Sequence, residues 1–98
     1  MKFNVKTIAE FETSFKKLLK KYPSLKNDLY ILILQLEKTP VMGISLGNDF
    51  YKIRISITSK GKGKSGGGRI ITCVKIRQHT VYLAAIYDKS AKSTLSDS

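Results

Sequence analysis

Residues 50–57 read FYKIRISI, and apolar side chains alternate with other side chains along the stretch. In an extended strand, Ile53 and its alternating neighbours line one face, while Lys52 and Arg54 stand side by side on the other. Residues 69–76 repeat the alternation after a segment rich in glycine and lysine, residues 60–68. Two such strands predict an antiparallel pair with one buried face and one open face.

The pattern continues toward the C-terminus of this pair. Residues 77–80 predict a turn and residues 81–87 an apolar strand, which completes a three-stranded antiparallel meander. The residues after this strand are small and polar, and we expect a flexible tail over about 89–98. On the other side of the pair, residues 39–48 contain two glycines and a proline and predict a crossing loop.

Two helices are predicted before the meander. Apolar residues recur at helical spacing over residues 8–22 and again over residues 24–38. Thr7 and Glu10 have the spacing of a capping box for the first helix. Pro23 ends that helix and is tolerated at the start of the next. The two helices therefore predict an αα-hairpin that covers one face of a sheet.

The fold class that follows is α+β. Residues 3–6 alternate and predict a short N-terminal strand, which is followed by the αα-hairpin and the three-stranded meander. The helices are expected on one face of a four-stranded sheet. A chain of 98 residues and 11.0 kDa has room for one domain, over residues 1–98.

Composition excludes several classes of function. One cysteine rules out a disulfide framework within the chain and a zinc site with several cysteines, and one histidine rules out a histidine cluster. The apolar stretch over residues 29–36 is too short to span a bilayer, and the N-terminus lacks the apolar core of a secretory signal. We therefore expect a cytoplasmic protein with no metal, no small-molecule cofactor and no membrane partner.

The net charge of +11 is concentrated in one half of the chain. Residues 50–87 contain eight basic residues and no acidic one. Charged surfaces normally mix both signs, so this block favours a surface that binds a polyanion over a merely solvated face. The candidate nucleic-acid contacts are Lys60, Lys62, Lys64, Lys75, Arg77 and Lys92.

Three basic residues are expected to converge on the open face of the sheet. Lys52 and Arg54 share one side of their strand, and Arg69 begins the partner strand with its apolar neighbours directed toward the helices. Lysines placed on edge strands to block aggregation are the alternative reading. Like charges this close repel one another unless an anion binds between them, which favours an anion-binding site.

Three motifs carry a resemblance to a known family: YKIR at residues 51–54, GKSGGGRII at residues 63–71 and IYDKS at residues 86–90. With them the chain resembles toxins of the RelE/ParE superfamily, nearest to the RelE-like HigB branch of bacterial type II toxin–antitoxin modules. The resemblance extends over essentially the whole chain. It implies a microbial-RNase-like fold that enters the ribosomal A site and cuts mRNA without a metal. The implied partners are the ribosome, mRNA and a cognate antitoxin protein.

The resemblance also implies an active site in Lys52, Arg54 and Arg69. RNA transesterification needs a base for the 2′-hydroxyl, a charge to stabilise the phosphorane and an acid for the leaving oxygen. Crowded cations favour the neutral amine of Lys52 as the base, and Arg69 suits the phosphate. Relatives often have an Arg and a Tyr after the last strand, where this chain offers Lys89 and Tyr87, so the general acid stays open between them.

Two other functions are compatible with this sequence. Proteins similar to ParE inhibit DNA gyrase with the same fold, although they usually lack the basic triad. A catalytically inactive RNA-binding module is the third possibility, because the C-terminal Arg and Tyr are missing. The triad favours the ribosome-dependent endoribonuclease.

Overall fold

The computed structural model describes residues 2–61 and 63–91, and within that part of the chain it contains two long helices, one helix of a single turn and five strands. The elements in chain order are β1 (Asn4–Thr7), α1 (Ala9–Lys21), α2 (Leu25–Lys38), β2 (Ile44–Gly47), β3 (Phe50–Ile55), β4 (Gly68–Lys75) and β5 (Thr80–Asp88). The predicted α+β class, αα-hairpin and meander are confirmed.

The strands form one sheet in the order β1-β5-β4-β3-β2. β1 runs parallel to β5, and the other neighbours are antiparallel. The short N-terminal strand therefore adds to the sheet beside the last strand of the chain. This pairing leaves β4, which carries Arg69, in the middle of the sheet.

Both helices pack on one face of the sheet and form a single core with it. Alternate residues of β3, β4 and β5 face the helices, as the apolar alternation predicts. The largest side chains that are fully buried there are Phe11, Leu25, Leu36, Ile57, Ile70 and Leu83. The sheet face opposite the helices is called the open face below.

The sheet has one strand more than the sequence predicts. Residues 39–48 were expected to form only a loop, but Ile44–Gly47 pairs with β3 as the edge strand β2. Gly43 permits this turn, because its φ of +84° favours glycine and a β-carbon would overlap the carbonyl oxygen of Lys52. All four residues of β2 are exposed, so the strand carried no burial pattern in the sequence.

The predicted capping box is wrong. Thr7 belongs to β1, and the residue that precedes α1 is Ile8, which makes no side-chain cap. The Thr7 hydroxyl donates instead to the carboxylate of Glu12. Pairing of Thr7 with Leu83 in the sheet takes this residue out of the helix-capping position.

The segment between β3 and β4 is held to the helices at its first turn. Thr58–Lys60 forms a 3₁₀ turn, and the buried carboxylate of Asp28 accepts bonds from the Thr58 amide at 2.9 Å and its hydroxyl at 2.6 Å. A single helical turn, Gly63–Gly66, follows. This part of the segment was expected to be a hairpin loop and is helical instead.

Beyond β5, the described residues end in a 3₁₀ turn, Lys89–Ala91. The rest of the tail expected over 89–98 lies outside the described residues. None of the helices in the described ranges has the length and apolar content to cross a membrane.

Candidate nucleic-acid interface

Opposite charges in the sheet lie on opposite faces. The five strands contain a single carboxylate, Asp88, and it faces the helices. Every cationic residue of the strands lies on the open face, as the register of the pairs requires. These residues are Lys6, Lys52, Arg54, Arg69 and Lys75.

One row across three strands combines two guanidinium groups and a phenol. Arg54 pairs with Arg69, and Arg69 pairs with Tyr87 on its other side. Neighbouring strands lie about 4.8 Å apart, so the row spans roughly 10 Å. Arg54 is exposed, Tyr87 is partly exposed and Arg69 is only 9% exposed. The predicted convergence of Arg54 and Arg69 on one face is present, with Tyr87 beside them.

Lys52 occupies the next row of the open face. It pairs with Ile71 on β4 and with Ile44 on β2. Residues two apart on a strand are separated by about 7 Å, which places the Lys52 backbone one row from Arg54. Lys52 is partly buried between these apolar partners.

The Arg69 side chain is bonded to the backbone at the start of β4. Its Nη1 donates to the carbonyl oxygen of Gly68 at 2.9 Å. Gly67 packs so tightly that a β-carbon would overlap the carbonyl oxygen of Ile55, and its own carbonyl accepts the Lys89 amide at 3.1 Å. The glycines therefore bring the start of β4 and the residue after β5 together beside Arg69.

Behind this row, on the helix face, lies a buried ion pair. The Asp88 carboxylate accepts from Lys60 Nζ at 2.7 Å and from the Tyr22 hydroxyl at 2.7 Å, and the amide and hydroxyl of Ser90 also donate to it. Burial by itself raises the pKa of Asp88, but the bonds from Lys60, Tyr22 and Ser90 outweigh it and hold that pKa well below its ordinary value.

Lys60 therefore has a structural partner. Its side chain is 9% exposed and its ammonium group is bound by Asp88, on the face away from the cationic strands. Since this position leaves little of the group accessible to a phosphate, Lys60 is omitted from the nucleic-acid surface that we propose.

The other predicted contacts occupy different parts of the molecule. Lys75 lies at the far end of β4 and pairs with exposed Asp49 at 3.3 Å. Arg77 is exposed in the turn between β4 and β5, and Lys89 is exposed in the turn after β5. Lys62 and Lys92 lie outside the described residues, and so does the side chain of Lys64.

Sequence reasoning missed two members of the open face, Lys6 and Tyr82, whereas Phe50 lies there with Lys52 and Arg54 as the alternation predicts. Tyr82 belongs to the apolar strand predicted over residues 81–87, and the structure places it on the open face, where it pairs with Cys73 and Lys6. A register shift between Ile71 and Thr72 of β4 leaves an extra residue in β5, which reverses the alternation along that strand. Nothing in the apolar run VYLAAIY signals such a bulge.

Within residues 2–61 and 63–91, no three His, Cys, Asp or Glu side chains lie together as a metal-binding group would require. His79, which is exposed in the turn before β5, packs its ring 5.1 Å from that of Phe3.

Searches against protein-family models and against curated proteins give no match. Solved structures do match. A double arginine-to-alanine variant of the E. coli toxin RelE in the free state is 15% identical, with a TM-score of 0.68 over 98% of this chain and 93% of that one. The isolated E. coli RelE toxin is 13% identical, with a TM-score of 0.66 over 97% of each chain.

A third structure, a metal-bound toxin from Helicobacter pylori, is 17% identical, with a TM-score of 0.57 over 90% of this chain and 96% of that one. The chain therefore has the RelE-like fold, and the resemblance read from its sequence is confirmed at the level of the fold.

Proposed function

We propose that this protein is the toxin of a bacterial type II toxin–antitoxin module, of the RelE-like HigB branch, and that it stops translation by cutting mRNA on the ribosome. The observation that carries the proposal is the separation of charge in the sheet, with five cations on the open face and the only strand carboxylate on the helix face. RNA is the polyanion that also contains its own nucleophile, the 2′-hydroxyl.

The reaction is a transesterification without a metal ion. Lys52 is the base that removes the proton of the 2′-hydroxyl, and the 2′-oxygen attacks the adjacent phosphorus. The bond from phosphorus to the 5′-oxygen breaks, which leaves a 2′,3′-cyclic phosphate and a 5′-hydroxyl. Arg54 and Arg69 stabilise the negative charge of the phosphorane by hydrogen bonds from their guanidinium groups.

Tyr87 is our candidate for the acid that protonates the leaving 5′-oxygen. It pairs with Arg69 in the same row as the two guanidinium groups, so its phenol faces the same side as the bound phosphate. Lys89 is the alternative acid, because it follows β5 directly and its amide is bonded to Gly67. Tyr87→Phe and Lys89→Met, compared at equal folding, distinguish the two.

The ribosome is proposed as the partner that completes the site. In the described strands, the positions paired with Lys52, Arg54 and Arg69 carry no carboxylate or histidine that could align the 2′-hydroxyl for in-line attack. Holding mRNA in a fixed geometry can supply much of the barrier reduction. Decoding of mRNA takes place in the cytoplasm, which is where we expect the protein to act.

A cognate antitoxin is proposed to dock on the helical layer. The outer surface of α2 exposes three large apolar side chains, Tyr30, Ile31 and Leu34. A groove lined by Phe15 and Leu29 runs beside them between the helices. An antitoxin segment with apolar anchors and acidic residues would fit this groove on a chain of net charge +11.

Induced expression in a bacterial host tests the proposal against its competitors. Cuts in mRNA within ribosome-bound codons, mapped by primer extension, are the expected result. Double-strand DNA breaks with an SOS response would instead support a gyrase inhibitor. Growth arrest with neither lesion would leave only an inactive RNA-binding module.

A further inference from the structure

A second patch of the open face lies away from the row of Arg54, Arg69 and Tyr87. It is a row across four strands, in which Phe50 pairs with Cys73, Cys73 with Tyr82, and Tyr82 with Lys6. We name it the aromatic row. On β4, Cys73 is four residues from Arg69, so the two rows are separated by about 13 Å.

The aromatic row does not serve the core. The partly buried apolar residues that pack against the core include Tyr51, which faces the helices, but neither Phe50 nor Tyr82. Phe50 is 38% exposed, and Tyr82 is partly exposed. Aromatic faces that remain accessible on a sheet are the usual platforms for stacking unpaired bases.

Cations flank the aromatic row. Exposed Lys6 belongs to it, and Lys75 lies two residues beyond Cys73 on β4 with its side chain 42% exposed. The pair that Lys75 forms with Asp49 is solvent-exposed, and such pairs contribute little, so a phosphate can compete for the ammonium group. Bases on the rings and phosphates on the lysines are the two contacts that single-stranded nucleic acid needs.

We propose that the aromatic row is a second nucleotide-binding site, which stacks a base of single-stranded RNA between Phe50 and Tyr82 while Lys6 and Lys75 bind its flanking phosphates. The inference deepens the proposed function, on which it rests for the identity of the strand as mRNA. It gives the open face a footprint of at least two nucleotides, one at each row. A four-stranded sheet commonly stacks two or three bases in this manner.

Equilibrium binding of a labelled hexanucleotide tests the site. The probe is fluorescein-labelled 2′-O-methyl oligouridine, which has no free 2′-hydroxyl and cannot undergo the proposed cleavage, so its anisotropy reports binding alone. Tyr82→Leu keeps an apolar side chain but removes the ring, and we expect the Kd to rise about tenfold, as loss of one stacked base would cause. Tyr30→Leu on α2 is the matched control for oligonucleotide binding alone, because it removes an exposed tyrosine from the helical layer, where the antitoxin and not RNA is proposed to dock.

Phe50→Leu is the second variant, because its ring is the more exposed and the substitution leaves the core intact. It should weaken binding in the same direction. Lys6→Gln should lower the slope of log Kd against log salt by about 0.7, the value for one phosphate contact on a single strand. Lys16 is an exposed residue of α1, so Lys16→Gln is the control for Lys6→Gln and should leave the slope unchanged.

A Kd for folded Tyr82→Leu and Phe50→Leu that equals that of Tyr30→Leu would overturn the proposal. Loss of antitoxin binding in these variants, with the oligonucleotide bound normally, would assign the row to a protein partner and overturn it as well. The probe cannot be cut, so its binding is independent of cleavage. If the ring variants bind it more weakly than wild type, but wild type does not cut mRNA on ribosomes, the proposed function is refuted and the second nucleotide-binding site is supported.

Discussion

Arg54 and Arg69 lie directly opposite each other on β3 and β4, with both side chains on the open face. Like charges at opposed positions of an antiparallel pair destabilise a sheet. Arg54 is exposed, so water screens its charge. Arg69 is nearly buried, so water screens its charge less. Under the proposed function, a phosphate of the bound RNA would contact both guanidinium groups and offset this repulsion.

Arg54→Gln should therefore increase stability while it removes activity. We expect the free energy of unfolding at low salt to rise by about 0.2–1 kcal/mol, and the gain to shrink as salt screens the repulsion. Urea unfolding at low and high salt measures it, with Lys16→Gln as the control on an exposed helix surface. A loss of stability at low salt would mean that repulsion between the two opposed arginines does not destabilise the sheet.

The buried pair of Asp88 and Lys60 predicts a specific pH dependence. The pKa of Asp88 is lowered by folding, so its contribution is fully present above the unfolded value of 3.8 and is lost as the pH falls below it. Asp88→Asn leaves the buried ammonium group of Lys60 unpaired and should reduce stability by about 3 kcal/mol at neutral pH.

The test is the free energy of unfolding of wild type and of Asp88→Asn, measured by chemical unfolding between pH 7 and about pH 2. This interval includes the pH at which a carboxylate of this kind becomes protonated. The difference between the two proteins should be constant at neutral pH and should shrink below about pH 4. In the double variant with Lys60→Met, the loss should be smaller than the sum of the single losses. A difference that does not change with pH would exclude an ionised Asp88 in the folded state.

Replacement of Thr72 by valine is expected to stabilise the protein. Its hydroxyl oxygen is buried in the core beneath α1 and α2 and has no hydrogen-bond partner among the described residues. Thr72→Val keeps the shape and removes the unsatisfied group, so stability should rise by about 1 kcal/mol. For a domain of this size, the melting temperature should increase by about 4–8 °C, measured by thermal unfolding. A lower melting temperature would show that the hydroxyl is satisfied.

Antitoxin association should depend on salt. Residues 50–87 contain eight basic residues and no acidic one, and although Lys60 and Lys75 pair with Asp88 and Asp49, the chain keeps a net charge of +11 that attracts an acidic partner over a long range. The association rate with the protein encoded beside this gene should fall as salt rises and fall again when Lys62 and Lys64 are changed to Glu. A rate that neither change affects would mean that charge does not guide docking.

The alternation of β3 and β4 was sufficient to predict the open face and its triad. Side chains two residues apart must share a face, and the isoleucines left only one orientation that buries them. The same logic failed in β5, because one extra residue reverses the faces of Tyr82 and Leu83 relative to an unbroken strand. A bulge depends on how two strands pair, and the sequence of either strand alone does not show this pairing.

Two other features depend on long-range contacts. Lys60 has the same local sequence character as its neighbouring lysines, and only the fold brings it to Asp88, 28 residues away. β2 is exposed on every residue, so no burial pattern identified it as a strand. Local patterns predicted the buried faces of β3 and β4, whereas the bulge in β5 and the pairing partners required the tertiary structure.

The most direct test of the central claim is cleavage of a defined mRNA by purified protein, mapped with and without translating ribosomes. We predict that wild type and Lys16→Ala cut the message on ribosomes far faster than they cut free RNA, and that folded Lys52→Ala is slower by a factor of about 10²–10⁴, as loss of a general base would cause. Equal cleavage rates for Lys52→Ala and wild type would contradict the proposal that the open face is a catalytic site.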